Sequence, residues 1–267
     1  MIHIYNKQYD GCMSFPIILN SYTKAINHRG YSVEAPENTL PAYILSAKRG
    51  FRYVECDVAF TKDSIPVLLH DSTIDRTSNG SGYIYNLTLS QVRSYDFGNW
   101  KGTTYTGTTI PTLEEFVILC RDLGLHPYIE LKSDGNYTTE QIQSVVDIVN
   151  KYGLQHNVTY ISFKYEYLQE IIKSDNRARV GYLVANINSN SYLTSTDALR
   201  TGYNDVFIET DYSRVTDNVV ELCKTANIPL EVYTVDDKNW IKTANDYISG
   251  FTSNSQNAEF IRYEKYI

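Results

Sequence analysis

The sequence predicts an α/β fold of the (β/α)8 barrel kind, on three observations. Short apolar runs that end in polar residues alternate with stretches of helical period, the pattern of β/α units around a parallel sheet. At 267 residues and 42% hydrophobic content the chain can bury a full core, and residues 1–267 are read as one barrel domain. There are nine strand candidates, one more than a barrel of eight needs, and one connection between them is too short for a crossover.

The candidates, in order, are TKAINHRG (23–30), RYVECDVAF (52–60), PVLLHD (66–71), HPYIEL (126–131), VTYISF (158–163), RVGYLV (179–184), DVFIET (205–210), PLEVYTV (229–235) and YISGFT (247–252). Between VECDVAF of the second and VLLHD of the third lies only TKDSIP. A parallel crossover needs about a dozen residues or more, so these two strands are expected as a hairpin, which leaves eight for the barrel.

Helical signals lie between the other strands. Thr112 and Glu115 form a capping box ahead of Leu113, Phe116, Val117 and Cys120, with Gly124 as the stop. Thr138 and Gln141 do the same ahead of Ile142, Val145, Val146 and Val149, with Gly153 as the stop. A third helix is expected from about Leu40 to Gly50, and a fourth around Val219, Val220, Leu222, Cys223 and Ala226. Residues 75–109 are rich in Gly, Ser, Thr and Asn without a sustained period, and read as an insertion after the strand ending at His70. Residues 1–21 form an N-terminal segment with no assigned role.

A net charge of −7 and a pI near 5.3 argue against nucleic acid or an anionic membrane surface as partner, because both require a basic face. Cys12, Cys56, Cys120 and Cys223 lie far apart with no CxxC pair. No signal-peptide pattern and no run of about 18 apolar residues occurs, so no transmembrane segment is expected. These features tilt the expected location toward the cytoplasm, with an extracellular or virion-associated one left open. Oligomeric state is not legible. The 24 tyrosines suit sugar or protein surfaces and equally fill cores.

The chemistry concentrates at predicted strand ends. Glu55 and Asp57 stand two apart, and strand side chains alternate, so both point to one side; Glu130 and Lys132 repeat the spacing. At the C-terminal mouth of a barrel these groups converge. Like charges about 4 Å apart repel by roughly 4 kcal/mol at an effective dielectric of 20. Protons or a divalent cation must relieve this, and all-oxygen ligation suits Ca²⁺ or Mg²⁺. Taken singly, each carboxylate could as well pair with a rim cation, and Lys132 offsets one charge.

His28 and His70 both follow apolar runs and so belong at the same mouth, each beside a charged neighbour, Arg29 or Asp71. A lone histidine is more often structural; two together suit a general acid and base, with reference pKa values near neutrality. His3, His126 and His156 are read as structural, at termini or in loops. Arg29 binds anions bidentately and reads as a phosphate clamp, with an ion pair to Glu37 compatible with that role. Asn38 is read as the N-cap of the helix LPAYIL, and Gly30 as permitting close backbone approach or positive φ.

The motifs HRG (28–30), PENT (36–39), ECD (55–57), LHD (69–71), DRT (75–77) with NGSG (79–82), IPTLEE (110–115) and IELK (129–132), in this order, resemble the glycerophosphodiester phosphodiesterase family. The resemblance is dense from Ile26 to Lys132. It implies a barrel of the phospholipase C-like phosphodiesterase type, with an insertion where residues 75–109 lie. It further implies one divalent ion, Ca²⁺ or Mg²⁺, on Glu55, Asp57 and Glu130, proton transfer by His28 and His70, and phosphoryl contacts from Arg29 and Lys132. Glu37, Asn38 and Asp71 take supporting positions around them. The expected reaction is hydrolysis of a glycerophosphodiester to glycerol 3-phosphate and an alcohol. Tyr233 stands where relatives usually carry Trp, and Thr252-Ser253-Asn254 where they carry a Thr-Asp pair, which leaves the pocket shape and natural substrate open.

Two other readings compete. A three-carboxylate metal site with Lys132 as base would fit proton abstraction next to a carboxylate, but it leaves the paired histidines without a role. The alternative closest to the main reading is a hydrolase or binding module acting on glycerophosphate polymers such as teichoic acid, as part of a cell-wall or phage-tail protein.

Overall fold

The computed structural model describes residues 23–237, 240 and 246–254. Nine strands are present: β1 (Lys24–Asn27), β2 (Tyr53–Phe60), β3 (Pro66–Leu68), β4 (His126–Leu131), β5 (Thr159–Ser162), β6 (Arg179–Val184), β7 (Val206–Asp211), β8 (Leu230–Tyr233) and β9 (Ile248–Ser253). Every strand expected from the sequence forms, several shorter than the apolar run that marked it. The parallel order β1-β2-β4-β5-β6-β7-β8-β9 closes on itself through β9 and β1, a closed eight-stranded parallel barrel. Strand β3 runs antiparallel to the upper end of β2, with Phe60 opposite Pro66, and is the hairpin the short link requires.

Seven α-helices cover the barrel among the described residues: α1 (Leu40–Lys48), α2 (Leu89–Val92), α3 (Leu113–Leu123), α4 (Thr139–Lys151), α5 (Tyr165–Ser174), α6 (Asn190–Ala198) and α7 (Asp217–Ala226). The capping boxes at Thr112 and Thr138 form as the spacing dictates. Helix α1 is capped at Thr39, not Asn38; Asn38 sits one residue earlier at φ 56° with its amide turned into the barrel mouth. Helices α5 and α6 carry no box and lay outside the sequence reading. No helix of the described residues is long and apolar enough to cross a membrane.

The helices bury their inner faces in two large clusters, one around Val58, Phe116, Val117, Ile129 and Val145, the other around Ile208, Val220, Leu230 and Val232. A third set, Ile26, Tyr128, Ile161, Leu183 and Phe207, fills the barrel interior. The 75–109 segment is largely irregular, with α2 capped by a Thr88–Gln91 box. It has an apolar centre of its own, Ile74, Ile84, Val92, Phe97 and Ile110, seated on Val67 and Leu69. The segment is thereby anchored over the hairpin, beside the barrel mouth. Cys56, Cys120 and Cys223 are buried free thiols; Cys12 lies outside the described residues.

Gly30 shows how tightly β1 is joined to α1. Its φ of 75° is left-handed, and a Cβ there would stand 2.8 Å from Ala42 Cβ. Gly30→Ala combines a left-handed penalty with overpacking, and is expected to lower unfolding free energy by about 2–4 kcal/mol. Denaturant titration checks this, and a loss under about 1 kcal/mol would show that the turn yields easily.

Candidate active site

The site begins where β1 runs out. Asn27 ends the strand, and the chain turns through Arg29 at φ 56° and Gly30 at φ 75°. A non-glycine residue in the left-handed region is costly unless its surroundings hold it there. Here the Arg29 amide donates to Glu55 Oε2 at 2.9 Å, and its carbonyl accepts from the Asn38 amide at 3.0 Å. The side chain turns inward, with Nε 3.1 Å from Asp57 Oδ2 and Nη1 2.8 Å from Glu37 Oε1.

Glu55 and Asp57 project from β2, and Glu130, in register with Asp57, from β4. All three are buried, and one carboxylate oxygen from each lies within 4.8 Å of the others. Glu55 Oε1, Asp57 Oδ1 and Glu130 Oε1 accept no well-formed hydrogen bond, although Lys132 Nζ stands 3.0 Å from Glu130 Oε1 and 3.4 Å from Asp57 Oδ1. Three buried carboxylates that converge on one small volume, each with an oxygen lacking a full partner, form a donor set that fits a hard divalent cation.

Protonation is divided unequally. Burial pushes the Glu55 carboxyl well above the usual range, reinforced by Asp57 and Glu130. Burial and Asp57 push Glu130 up to about 7. Burial works the same way on Asp57, but Arg29 and Lys132 outweigh it and hold this carboxylate low. Asn38 reinforces the choice, its Nδ2 donating to Asp57 Oδ2 at 2.8 Å while its Oδ1 accepts from the Asp57 amide at 3.2 Å and from the Tyr43 hydroxyl at 3.0 Å.

His28 and His70 line one cavity of roughly 240 Å³ together with Arg29, Glu55, Glu130 and Lys132. His28 Nε2 is 3.9 Å from Glu55 Oε2, and its Nδ1 meets Asn254 Oδ1 at 2.8 Å. Asn254 is oriented by Asp236, to which its amide nitrogens donate at 2.8 and 3.0 Å. Its Oδ1 can only accept, so the hydrogen sits on His28 Nδ1 and the Nε2 lone pair is left to the cavity. Burial, then Arg29, lowers the His28 pKa to about 4, so this imidazole is neutral at pH 7, a correction to the reference value near neutrality. His70 lies in the bend just beyond β3, which ends at Leu68. Its Nδ1 stands 2.7 Å from Asp71 Oδ1, again leaving Nε2 for the site.

The structure thus brings together every residue singled out in the sequence, Glu37, Asn38 and Asp71 included, while correcting Asn38 from helix cap to support for Asp57. His126 is not in a loop: it begins β4 at the opposite end of the barrel, between Asn157 and Thr159. His3 lies outside the described residues. Three residues escaped the sequence reading. Arg76 joins the two rims, donating to both oxygens of Glu37 and of Asp71. Its place inside DRT was the available signal. Asn254 stands out in the sequence only as a departure from the Thr-Asp pair, and Glu209 only as a single carboxylate within the apolar run DVFIET.

A scan of family models matches residues 28–250 to the glycerophosphoryl diester phosphodiesterase family. A glycerophosphodiester phosphodiesterase of Caldanaerobacter subterraneus is 30% identical over 216 residues, covering 81% of this chain and 87% of that protein. The human glycerophosphodiester phosphodiesterase 1 is 40% identical over 123 residues, but the match spans only 37% of its length. Among solved structures, an Oleispira antarctica phosphodiesterase in complex with the product sn-glycerol-3-phosphate superposes with a TM-score of 0.81 at 29% identity, covering 89% of this chain and 96% of that one. A Thermotoga maritima glycerophosphodiester phosphodiesterase shares the fold with a TM-score of 0.71 at 23% identity, covering 90% and 97%.

The crowded triad has a measurable consequence. Glu55 and Glu130 have carboxyls whose pKa rises on folding, so the stability linked to them is present at low pH and lost as pH rises, for Glu130 between about 4.5 and about 7. In chelator at pH 8, Glu55→Gln is expected to be more stable than the parent by about 1–2 kcal/mol, a difference that shrinks toward pH 5. Millimolar Ca²⁺ or Mg²⁺ should raise the parent and not the variant. Denaturant titrations at the two pH values check both, and a variant no more stable at pH 8 would remove the repulsion argument.

Proposed function

The chain belongs to the glycerophosphoryl diester phosphodiesterase family and is a phosphoric diester hydrolase, and from that premise we propose that it cleaves glycerophosphodiesters to glycerol 3-phosphate and an alcohol by acid-base catalysis at His28 and His70, with Glu55, Asp57 and Glu130 holding a divalent ion. The single observation that carries this reading is the convergence of three buried carboxylates, one oxygen of each within 4.8 Å of the others, two of them lining the cavity that both imidazoles line. Support for the substrate class comes from the Oleispira relative, whose structure holds sn-glycerol-3-phosphate as product.

In this scheme the neutral His28 takes on Nε2 the proton of an attacking water, or of a glycerol hydroxyl whose attack closes a cyclic phosphate that water then opens with the two histidine roles reversed, while Asn254 keeps the ring in the tautomer that leaves that lone pair free. His70, backed by the Asp71 carboxylate, gives a proton to the departing alkoxide. Arg29 and Lys132 set positive charge against the non-bridging oxygens, where negative charge grows in the transition state. Glu55, Asp57 and Glu130 would hold a Ca²⁺ or Mg²⁺ ion, which would supply further positive charge to the transition state and offset the repulsion within the triad. Arg76, bridging Glu37 and Asp71, links the positions of Arg29 and His70.

One observation favours a larger alcohol. A second cavity of roughly 490 Å³ shares His70 and Lys132 with the first and runs past Tyr85, Asp134 and Asn136. This room on the His70 side would admit an extended leaving group such as the next unit of a glycerophosphate polymer.

Product release from a panel of glycerophosphodiesters and lipoteichoic acid, with and without chelator, tests the reading. Turnover is expected to vanish in chelator and return with Ca²⁺ or Mg²⁺. His28→Ala and His70→Ala are each expected to lower kcat by about 10²–10⁴. Full activity in either alanine variant, or turnover indifferent to chelator, would refute this mechanism; binding of the polymer without any turnover would point to a recognition module.

A further inference from the structure

Resting on the phosphodiesterase reading above, we propose that Glu209 and Thr252 form a hydroxyl-binding subsite on the floor of the catalytic cavity that takes the polyol portion of the diester. Glu209 projects from β7 and is 1% exposed, yet it lines the same cavity as His28, His70 and Lys132. Its Oε1 accepts a hydrogen bond from the Thr252 hydroxyl at 3.1 Å, while Oε2 has no partner. A buried polar atom left unsatisfied costs about 1–3 kcal/mol. Holding Thr252 requires a single acceptor, so the structural role leaves the second oxygen unexplained.

The alternative uses of a buried carboxyl fit less well. Glu209 is outside the carboxylate triad and has no ion pair among the described residues. Glu231, its register neighbour on β8, has one unpartnered oxygen as well but is neutralised by Lys24 at 2.7 Å and Arg179 at 2.8 Å, while Arg29 and Lys132 serve the triad, so no cation is paired with Glu209 among the described residues. Burial, with Glu231 beside it, pushes Glu209 up to about 8. A neutral carboxyl does not repel a phosphodiester, and it can both donate to and accept from a hydroxyl.

The walls above complete the match. Ile161, Phe163, Leu183 and Tyr233 line the same cavity as Glu209. Phe163 and Tyr233 meet edge to face at 5.7 Å, and the Tyr233 hydroxyl is spent on the Val184 carbonyl at 3.0 Å, so Tyr233 offers the ligand carbon surface. Apolar sides over a floor with an open hydrogen-bonding group suit a short polyol, whose carbons meet the walls and whose hydroxyls reach the carboxyl. A simple alkyl group in the same place would leave Glu209 Oε2 unsatisfied.

The test compares kcat/KM for glycerophosphocholine and for ethyl phosphocholine, which lacks the glycerol hydroxyls, in the full chain with Mg²⁺ or Ca²⁺. The parent is expected to prefer the glycerol diester. Glu209→Ala should lower that preference at least tenfold, chiefly through KM, and Glu209→Gln, which retains one donor, should lower it by less. Thr252→Val, equal in shape but lacking the hydroxyl that orients the carboxyl, should lower it several-fold and guards against misfolding of the alanine variant. Calorimetry with glycerol 3-phosphate against ethyl phosphate should show the same loss of discrimination. An unchanged preference in the variants that fold, or equal losses on both diesters, overturns the subsite while leaving the phosphodiesterase reading intact. A parent that turns over neither diester brings down that reading and the subsite with it.

Discussion

Three acidic side chains crowded at the mouth of one barrel set the terms for the structure around them. Adjacent parallel strands place Asp57 directly beside Glu130, and the two-residue repeat of β2 brings Glu55 to the same face. Each pair of unit charges near 4 Å repels by roughly 4 kcal/mol at an effective dielectric of 20. The chain answers with two interior cations, Arg29 and Lys132, both within ion-pair reach of Asp57. Compensation is therefore lopsided: Asp57 stays ionised, while Glu55 and Glu130 are left with raised affinity for protons. A site in this condition takes up positive charge readily, and a hard divalent ion is the species with the charge and the oxygen preference to use all three donors.

Supporting residues acquire their odd conformations from that centre. Arg29 and Asn38 both have φ of 56°, a region sparsely used by non-glycine residues. Both are held there by bonds to the triad or to each other: Arg29 N to Glu55, Asn38 N to the Arg29 carbonyl, and the Asn38 side chain to Asp57. Gly30, packed against Ala42, lets the turn close without pushing α1 away. Outside this ring, Glu37 joins Arg29 to Arg76, and Asp71 joins Arg76 to His70. The two imidazoles are thus positioned by separate acceptors, Asn254 for one and Asp71 for the other, so each ring presents Nε2 to the same space.

Much of this was legible because it is local. Strand alternation puts Glu55 with Asp57, a five-residue link forces the β2–β3 hairpin, and a Thr-x-x-Glu or Thr-x-x-Gln spacing starts a helix wherever it falls. Helices α5 and α6 lacked such a start signal and form against the barrel by burying Leu168, Ile171 and Leu193. Asn38 deceived because asparagine favours both helix caps and left-handed backbone, and only the tertiary partner Asp57 decides between them. The lowered pKa of His28 could not be read from HRG, since it arises first from burial among the elements that meet at the barrel mouth. Arg76, Asn254 and Glu209 reach the site from 39, 226 and 43 residues away from their bonded partners, separations that no periodicity reports.

The barrel interior contains its own comparison between structure-bearing and chemistry-bearing acids. Glu231 and Glu209 lie on neighbouring strands, paired across β7 and β8, and both are fully enclosed. Toward the strand starts, Glu231 is met by Lys24 and Arg179, with Arg179 further held by Asp205 and packed over Phe207; its carboxyl is held below the usual range despite burial. Toward the strand ends, Glu209 has a single hydroxyl donor and the carboxylate triad has two cations for three acids. The same cost of burying a charge is therefore settled at one end and left open at the other. A folded chain could have placed compensating residues at both ends, as it did around Glu231. Glu231 also has one oxygen without a hydrogen bond, but two cations neutralise it; that the carboxyls left short of positive charge border a cavity between two oriented imidazoles is the physical ground for reading that end as the site of chemistry.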